Sequence, residues 1–220
     1  MDNTFVSIDG PTASGKTTLG VRLACHLGLP FLDTGLSYRA AAFVAQRDAG
    51  TFGSSRIPEF IRHLPGRFDK NGVVSPEAII FNGVDITGKI WGPELDQHLK
   101  QVAADPHRRA EILSLHKGIL ARETSAVIVG RDVAVTLLAS SASLHVYLTA
   151  NLAVRRERRR AQYLDSPERS AAVGAATARD LENCAAIKQM RSSVVIDSTY
   201  LPVDAVFQCA LRGLDNDARS

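Results

Sequence analysis

The chain has 220 residues, which is enough for one α/β domain with an inserted subdomain or for two small domains. Hydrophobic residues make up 45% and charged residues 22% of the sequence, a balance typical of a globular protein with a buried core rather than of a disordered chain. The net charge of +3 is too weak by itself to indicate nucleic-acid binding. No stretch approaches the roughly 18 apolar residues of a membrane-spanning helix. We therefore expect a cytoplasmic protein that binds neither a membrane nor a nucleic acid.

The first 50 residues alternate short strands and helices. The run TFVSID predicts a strand, KTTLGVRLACHLG a helix ending at Gly28, LPFLDTG a second strand, and SYRAAAFVAQRDAG a second helix ending at Gly50. This alternation is typical of a parallel sheet covered by helices.

The segment from about residue 52 to residue 92 has a different pattern. The pairs Asn71-Gly72 and Asn82-Gly83 stand between short apolar runs, as in tight hairpins, and predict a small antiparallel insertion. A helical segment broken near Asp105-Pro106 follows. SAVIVGRD and SLHVYLTA then predict two buried strands, LAVRRERRRAQYL a basic helix, SSVVIDST the last strand and PVDAVFQCALRGL the closing helix. Five parallel core strands result.

The loop GPTASGKT stands between the first strand and the first helix and has the spacing Gly10-x-x-x-x-Gly15-Lys16-Thr17 of a phosphate-binding P-loop. In such a loop, backbone N–H groups and the helix N-terminus face phosphate oxygens, the lysine contacts the β- and γ-phosphates, and the hydroxyl binds Mg²⁺. We expect ATP and Mg²⁺ as cofactors. The predicted nucleotide-binding residues are Gly10, Thr12, Ala13, Ser14, Gly15, Lys16, Thr17 and Thr18.

The predicted reaction is a small-molecule phosphoryl transfer. The chain is too short for a motor ATPase core, and it lacks the N-K-x-D motif of a GTP switch. Asp33 ends the second strand, where side chains of an open α/β sheet face the ligand cleft, and it is the predicted metal residue beside Thr17. Arginines recur near the same cleft and suit an acceptor phosphate. They are Arg39, Arg109, Arg131 and the cluster Arg155, Arg156, Arg158, Arg159 and Arg160. The six histidines show no ligand spacing and are interpreted as surface or core residues.

Several segments resemble the bacterial cytidylate kinases, a family of nucleoside monophosphate kinases. IDGPTASGKTTL is similar to the family's P-loop, LDTGLSYR to its L-D-[ST]-G-x-x-Y-R motif, and FNGVDITGKI to its insertion hairpin. KQVAADPHRRAEIL, VGRDVAV and IDSTYLPVDAV resemble three further family motifs in the same order. The resemblance covers most of the chain.

The resemblance implies one P-loop kinase chain over residues 1–220, with a three-layer α/β/α fold. Its core would comprise residues 1–50 and 110–220, its acceptor-binding insertion residues 52–109, and its arginine-bearing lid residues 155–180. The implied reaction transfers the γ-phosphoryl group of ATP to the 5′-phosphate of CMP or dCMP, with Mg²⁺. The implied partner is a small-molecule nucleotide, and the implied oligomeric state is a monomer.

The family's functional residues map onto numbered positions of this sequence. The implied catalytic residues are Lys16, Arg39, Arg131, Arg155 and Arg159, and the metal residues are Thr17 and Asp33. The implied substrate-binding residues are Thr34, Arg39, Lys100, Arg109, Arg131, Asp132, Arg179 and Asn183. Of these, Arg39, Arg109 and Arg131 would hold the acceptor phosphate, and Asp132 with Arg109 would face the pyrimidine.

Four positions depart from the family pattern. Lys100 replaces a serine that helps to recognise cytosine, Val129 replaces an acid before G-R-D, Asn183 replaces the second acid of R-D-x-x-D, and Ala134 replaces a glycine. These departures leave alternatives open. The acceptor could be another pyrimidine nucleotide, or a small-molecule hydroxyl of the shikimate or gluconate type with Asp33 taking its proton. A third alternative is a nucleotide-binding protein without catalysis.

Overall fold

The computed structural model describes residues 4–47, 61–69, 71–91, 94–138, 142–162 and 178–217. The elements within these residues follow in chain order. They are β1 (Phe5–Asp9), α1 (Lys16–Leu27), β2 (Phe31–Asp33), α2 (Thr34–Arg47), β3 (Ile61–Leu64), β4 (Arg67–Asp69), β5 (Gly72–Ser75), β6 (Ala78–Phe81), β7 (Val84–Asp85), a 3₁₀ turn (Thr87–Lys89), α3 (Glu94–Ala104), α4 (Pro106–Leu120), β8 (Ala126–Val129), α5 (Val133–Thr136), β9 (Leu144–Thr149), α6 (Leu152–Gln162), α7 (Ala178–Lys188), β10 (Ser193–Asp197) and α8 (Val203–Asp217).

The central sheet has five parallel strands in the order β10-β9-β1-β8-β2, which confirms the predicted fold. Helices cover both faces, so the inner strands are almost wholly apolar and buried, as in β8, where all four residues are inaccessible. Because the strands are parallel, the loops after β1, β2 and β8 emerge at the same edge. That edge therefore brings the glycine loop, Asp33 and Arg131 together.

Helix α1 ends where the sequence predicts. Gly28 adopts a left-handed conformation with φ of 66°, and its N–H bonds to the carbonyls of Ala24 and Cys25. This is the usual glycine stop of a helix. Helix α2 is described to Arg47, and the predicted end at Gly50 lies outside the described residues.

The insertion is antiparallel, as predicted. β6 pairs with β3 on one side and with β7 on the other, and β4 pairs with β5. Asn82 and Gly83 both have positive φ, of 48° and 79°, as a tight hairpin turn requires. The insertion is tied to the central sheet by a bridge between Phe31 and Gly66.

The helices around the insertion share its core. Apolar residues of α2, the insertion, α3 and α4 form one buried cluster that includes Ala41, Ile79, Leu95 and Ile112. The predicted break between α3 and α4 is confirmed, because the Asp105 side chain accepts hydrogen bonds from the first N–H groups of α4. The boundary expected between residues 109 and 110 falls inside α4.

The structure covers the expected lid in part. The lid expected over residues 155–180 includes residues 163–177, which lie outside the described residues, as does the side chain of Arg179.

Among the described residues, no helix has the length and apolar character needed to cross a membrane.

Candidate active site

The glycine loop connects β1 to α1 and passes very close to β9. A Cβ atom on Gly10, where φ is 143°, would lie 2.0 Å from the carbonyl oxygen of Leu148, so only glycine fits at this position. Ala13 and Gly15 also have positive φ, of 63° and 101°. Successive backbone conformations of this kind form concavities that bind anions.

Two polar side chains of the loop are suited to a phosphate ligand. The Ser14 hydroxyl oxygen is buried and has no hydrogen-bond partner among the described residues. The Lys16 ammonium donates a hydrogen bond of 2.8 Å across the loop to the carbonyl oxygen of Pro11. Burial lowers the pKa of Lys16 to about 8, and the nearby Asp33 carboxylate opposes that shift. A phosphate bound in the loop would therefore lie beside a lysine and a hydroxyl of the same loop.

Thr17 and Asp33, the two residues that the sequence predicts for a metal, lie together. The Thr17 hydroxyl donates to Oδ2 of Asp33 at 3.1 Å, and Oδ1 of the same carboxylate accepts from the N–H of Gly35 at 2.9 Å. A hydroxyl and a carboxylate are hard oxygen donors, and Mg²⁺ at phosphate sites takes one or two such protein ligands beside water and phosphate oxygens. The donor set fits Mg²⁺, and the described residues hold no group of three or more His, Cys, Asp or Glu side chains that would form a protein cage.

The arginines of α6 contact the backbone of the glycine loop. The buried Arg155 donates to the carbonyl oxygens of Ala150, at 3.0 Å, and of Thr12, at 3.2 Å. Arg158 donates to the carbonyl oxygen of Ser14, at 3.4 Å, and to the hydroxyl and carbonyl of Ser198. These guanidinium groups hold the loop from the side of its carbonyls. Arg159 is half-buried on the same helix.

Arg131 connects the loop after β8 to the glycine loop. Its guanidinium donates to the Thr12 hydroxyl at 2.8 Å and lies 3.8 Å from the buried Asp180 carboxylate of α7. The Asn183 side-chain amide donates to the carbonyl oxygen of Arg131 at 2.8 Å. Asn183 therefore fixes the backbone that carries Arg131, in addition to the substrate contact expected of it.

A cavity of about 260 Å³ opens beside this edge of the sheet. Its lining residues are Thr34, Tyr38, Pro106, Arg109, Ala110, Leu113, His116, Asp132, Val133, Thr136 and Leu137. Arg109 and Asp132 form an ion pair of 3.0 Å, and the Thr34 hydroxyl donates to the carbonyl oxygen of Val129 at 2.9 Å. Three of the predicted substrate-binding residues thus meet in one cavity.

Two other predicted substrate residues lie elsewhere. Lys100 is exposed on α3 and does not belong to the cavity lining. The Arg39 guanidinium lies over the Trp91 ring, 4.6 Å from its centroid, so the arginine that is expected to hold the acceptor phosphate stacks on an aromatic face.

Asp9 is a functional candidate outside the set of site residues that the sequence predicts. It is fully buried at the end of β1, and its carboxylate accepts from the N–H groups of Val133 and Ala134 at 2.6 and 3.0 Å. It therefore orients the turn that carries Arg131. An acid as the last residue of the first strand, directly before Gly10, was the available signal.

The ionisation of Asp9 should appear in the pH dependence of stability. Burial raises the pKa of Asp9 from the ordinary 3.8 to about 6, against the pull of its two N–H bonds and the Lys16 charge. Because the pKa of Asp9 is higher in the folded than in the unfolded protein, protonation of Asp9 stabilises the fold. This stabilisation is complete below about pH 3.8 and is lost as the pH rises to about 6. Over this pH range we expect the unfolding free energy of wild type to fall, relative to that of Asp9→Asn, by about 1.4 kcal/mol for each unit of pKa shift.

Urea unfolding of both proteins between pH 4 and pH 7 measures this difference. The exposed Asp215→Asn is the matched control and should follow wild type at every pH. Parallel curves for wild type and Asp9→Asn would contradict a raised pKa at Asp9.

The fold and this site define the class of protein. A parallel sheet whose first strand leads through a glycine loop with Lys16 and Thr17 into a helix, facing Asp33 and several arginines, is a P-loop kinase architecture. Solved structures of this fold include TT1252 from Thermus thermophilus, at a TM-score of 0.54 and 17% identity over 99% of this chain and 98% of that chain. A gluconokinase from Sinorhizobium meliloti matches at a TM-score of 0.54 and 13% identity, over 97% and 93%.

The family follows from the sequence comparisons. The cytidylate kinase family model matches residues 6–216. The cytidylate kinase of Granulibacter bethesdensis is 32% identical over 94% of each chain, and that of Rhodopseudomonas palustris is 32% identical over 94% of this chain and 93% of its own. The chain therefore belongs to the cytidylate kinase family. It is a phosphotransferase of the nucleoside monophosphate kinase type, which confirms the class inferred from the sequence.

Proposed function

We propose that the protein transfers the γ-phosphoryl group of ATP to the 5′-phosphate of CMP or dCMP. One observation supports this most directly. Arg131 bonds to the glycine loop through Thr12, while the next residue, Asp132, lines the cavity and pairs with Arg109. Two consecutive residues thus connect the loop that would bind a nucleoside triphosphate to a cavity of a size suited to a base. Phosphoryl transfer between two nucleotides requires such adjacent donor and acceptor sites.

The acceptor is better described as a phosphate than as a hydroxyl. A hydroxyl acceptor needs a base, and Asp33 is the carboxylate at the appropriate strand end. Both Asp33 oxygens already accept hydrogen bonds, from Thr17 and from Gly35. A phosphate oxygen is an anion at neutral pH and needs no base, so the transfer requires positioning and positive charge, which Lys16 and the arginines supply.

In this mechanism each residue binds or orients a charged group. Lys16 moves from the Pro11 carbonyl to the β- and γ-phosphates and neutralises the charge that develops there. Arg39 and Arg131 hold the acceptor phosphate in line with the γ-phosphate. Mg²⁺ beside Thr17 and Asp33 would offset the negative charge of the phosphates of ATP. Arg155 and Arg158 keep the loop backbone in position through its carbonyls.

A coupled assay of ADP release tests the proposed acceptor. CMP, dCMP, UMP, AMP, GMP, shikimate and gluconate are offered at equal concentration with ATP and Mg²⁺. We expect CMP and dCMP to give the highest kcat/KM. ADP release with shikimate or gluconate, and none with any nucleoside monophosphate, would contradict the proposal.

A further inference from the structure

Four side chains that the mechanism above does not use form a buried hydrogen-bonded chain. His63 Nε2 lies 2.6 Å from Oε1 of Glu77, His63 Nδ1 lies 2.8 Å from Oγ of Ser37, and Ser37 Oγ lies 3.0 Å from Nε2 of His116. Ser37, His63 and His116 are 0%, 3% and 2% exposed. Buried polar groups cost free energy unless they are hydrogen-bonded, and here each of the four side chains has a hydrogen-bond partner.

The chain connects two parts of the candidate active site. At one end, Oε1 of Glu77 also accepts from the backbone N–H of Asp33 at 2.6 Å, at the end of β2. At the other end, His116 is one of the residues that line the cavity with Arg109 and Asp132. The four residues come from α2, β3, α4 and the loop before β6, so only the tertiary fold brings them together.

His116 is an uncharged ring at this cavity. Burial lowers the pKa of His116 to about 3, and the neighbouring His63 ring adds to the shift. A neutral imidazole has one nitrogen that donates and one that accepts. Nε2 is taken by Ser37, so Nδ1 is the one polar atom of the ring that a ligand in the cavity can engage.

The Ser37 hydroxyl couples the role of that nitrogen to the role of His63 Nδ1. Oε1 of Glu77 accepts from the N–H of Asp33, and His63 donates to the same oxygen through Nε2. A hydroxyl has a single proton to donate. Where Ser37 donates this proton to Nδ1 of His63, the Ser37 oxygen accepts from Nε2–H of His116, and Nδ1 of His116 keeps its lone pair.

We propose that His116 is a specificity-determining residue, whose Nδ1 accepts a hydrogen bond from the exocyclic amino group of the acceptor base, with Ser37 and His63 as positioning residues. This inference rests on the proposed function above. Cytosine carries an amino group at the position where uracil carries a carbonyl oxygen. A carbonyl facing a lone pair leaves both groups unsatisfied, so the arrangement favours cytosine.

The test is the ratio of kcat/KM for CMP to that for UMP in two His116 variants. In His116→Gln the amide reaches the Ser37 oxygen but no polar atom replaces Nδ1, so we expect the ratio to fall tenfold or more. In His116→Asn the amide oxygen replaces Nδ1 but the bond to Ser37 is lost, so we expect a less stable protein with a ratio near that of wild type. Ser37→Ala should lower the ratio because the ring loses its orientation.

Two controls remove trivial explanations. His107→Gln changes an exposed histidine on the same helix, and Lys117→Ser changes an exposed lysine on that helix outside the cavity lining. Both variants should leave the ratio within twofold of wild type. A merely structural role for His116 would lower kcat/KM for CMP and UMP by the same factor and would leave their ratio unchanged, which would overturn the proposal.

The failures of the two proposals are distinguishable. If wild type phosphorylates no nucleoside monophosphate, the proposed function fails. If wild type phosphorylates CMP but His116→Gln keeps the wild-type ratio, only the role of His116 fails. Should His116→Gln not fold, ¹⁵N NMR of the wild-type imidazoles decides. We expect a His116 ring protonated at Nε2 whose Nδ1 resonance moves on addition of CMP, whereas a ring protonated at Nδ1 would overturn the proposal.

Discussion

Replacement of Lys16 by alanine is expected to lower turnover by roughly 10²–10³, with the fold retained. The lysine charge matters most as the γ-phosphoryl group leaves, because negative charge then accumulates on the bridging oxygen. Among the described residues the ammonium donates to the Pro11 carbonyl and lies near the Asp33 carboxylate, and its burial opposes its charge, so we expect the fold to tolerate its loss.

Steady-state kinetics with ATP and CMP, beside the melting temperature, measure this effect. Lys117→Ala, an exposed lysine on α4, is the matched control and should behave as wild type. Near-normal turnover in Lys16→Ala would show that the segment from Gly10 to Thr17 is not the catalytic loop.

Replacement of Arg131 by alanine should raise KM for CMP and lower kcat, with KM for ATP little changed. A hydrogen bond to a charged group is worth about 1.5–3 kcal/mol, or roughly ten- to a hundredfold in kcat/KM for the acceptor. Arg131→Lys keeps the charge but loses the planar pair of donors, and should recover only part of the loss.

The contact between Arg131 and Thr12 makes this prediction discriminating. If the main task of Arg131 were to hold the glycine loop, its loss would weaken ATP binding instead. A rise in KM for ATP alone would therefore contradict the assignment of Arg131 to the acceptor side. Arg122→Ala, an exposed arginine after α4, serves as the control.

The parts of the fold that the sequence predicts are those with strong local signals. Five strands were predictable because a strand buried on both faces must be apolar throughout, as β8 is. The hairpins were predictable because positive φ at two successive residues selects Asn-Gly, as at Asn82 and Gly83. The glycine loop was predictable because its contacts with phosphate depend on backbone and on fixed spacing.

The parts that the sequence does not predict depend on which segments meet in space. Arg155 and Arg158 belong to a basic helix that suggests a lid, and only the position of α6 against the glycine loop shows that they bond to loop carbonyls. Similarly, Lys100 aligns with a residue that contacts the base, yet α3 places it at the surface.

The buried hydrogen-bonded chain of four side chains also depends on contacts between distant segments, which the sequence does not predict. Ser37, His63, Glu77 and His116 have no spacing in common, and each alone is indistinguishable from a core or surface residue. The sequence therefore indicates only surface or core histidines. Their hydrogen bonds arise from the packing of α2, the insertion and α4 into one cluster. Long-range contacts of this kind leave no local pattern.

The most direct test of the proposed reaction determines which product receives the γ-phosphoryl group of ATP. Wild-type protein is incubated with CMP, Mg²⁺ and ATP labelled with ¹⁸O in the γ-phosphoryl group, and ³¹P NMR then locates the label. We predict that it appears in the β-phosphoryl group of CDP, in equal amount to the ADP formed, and that Lys16→Ala forms neither product at a comparable rate. Label found only in inorganic phosphate, with CMP unchanged, would contradict transfer to a nucleotide acceptor.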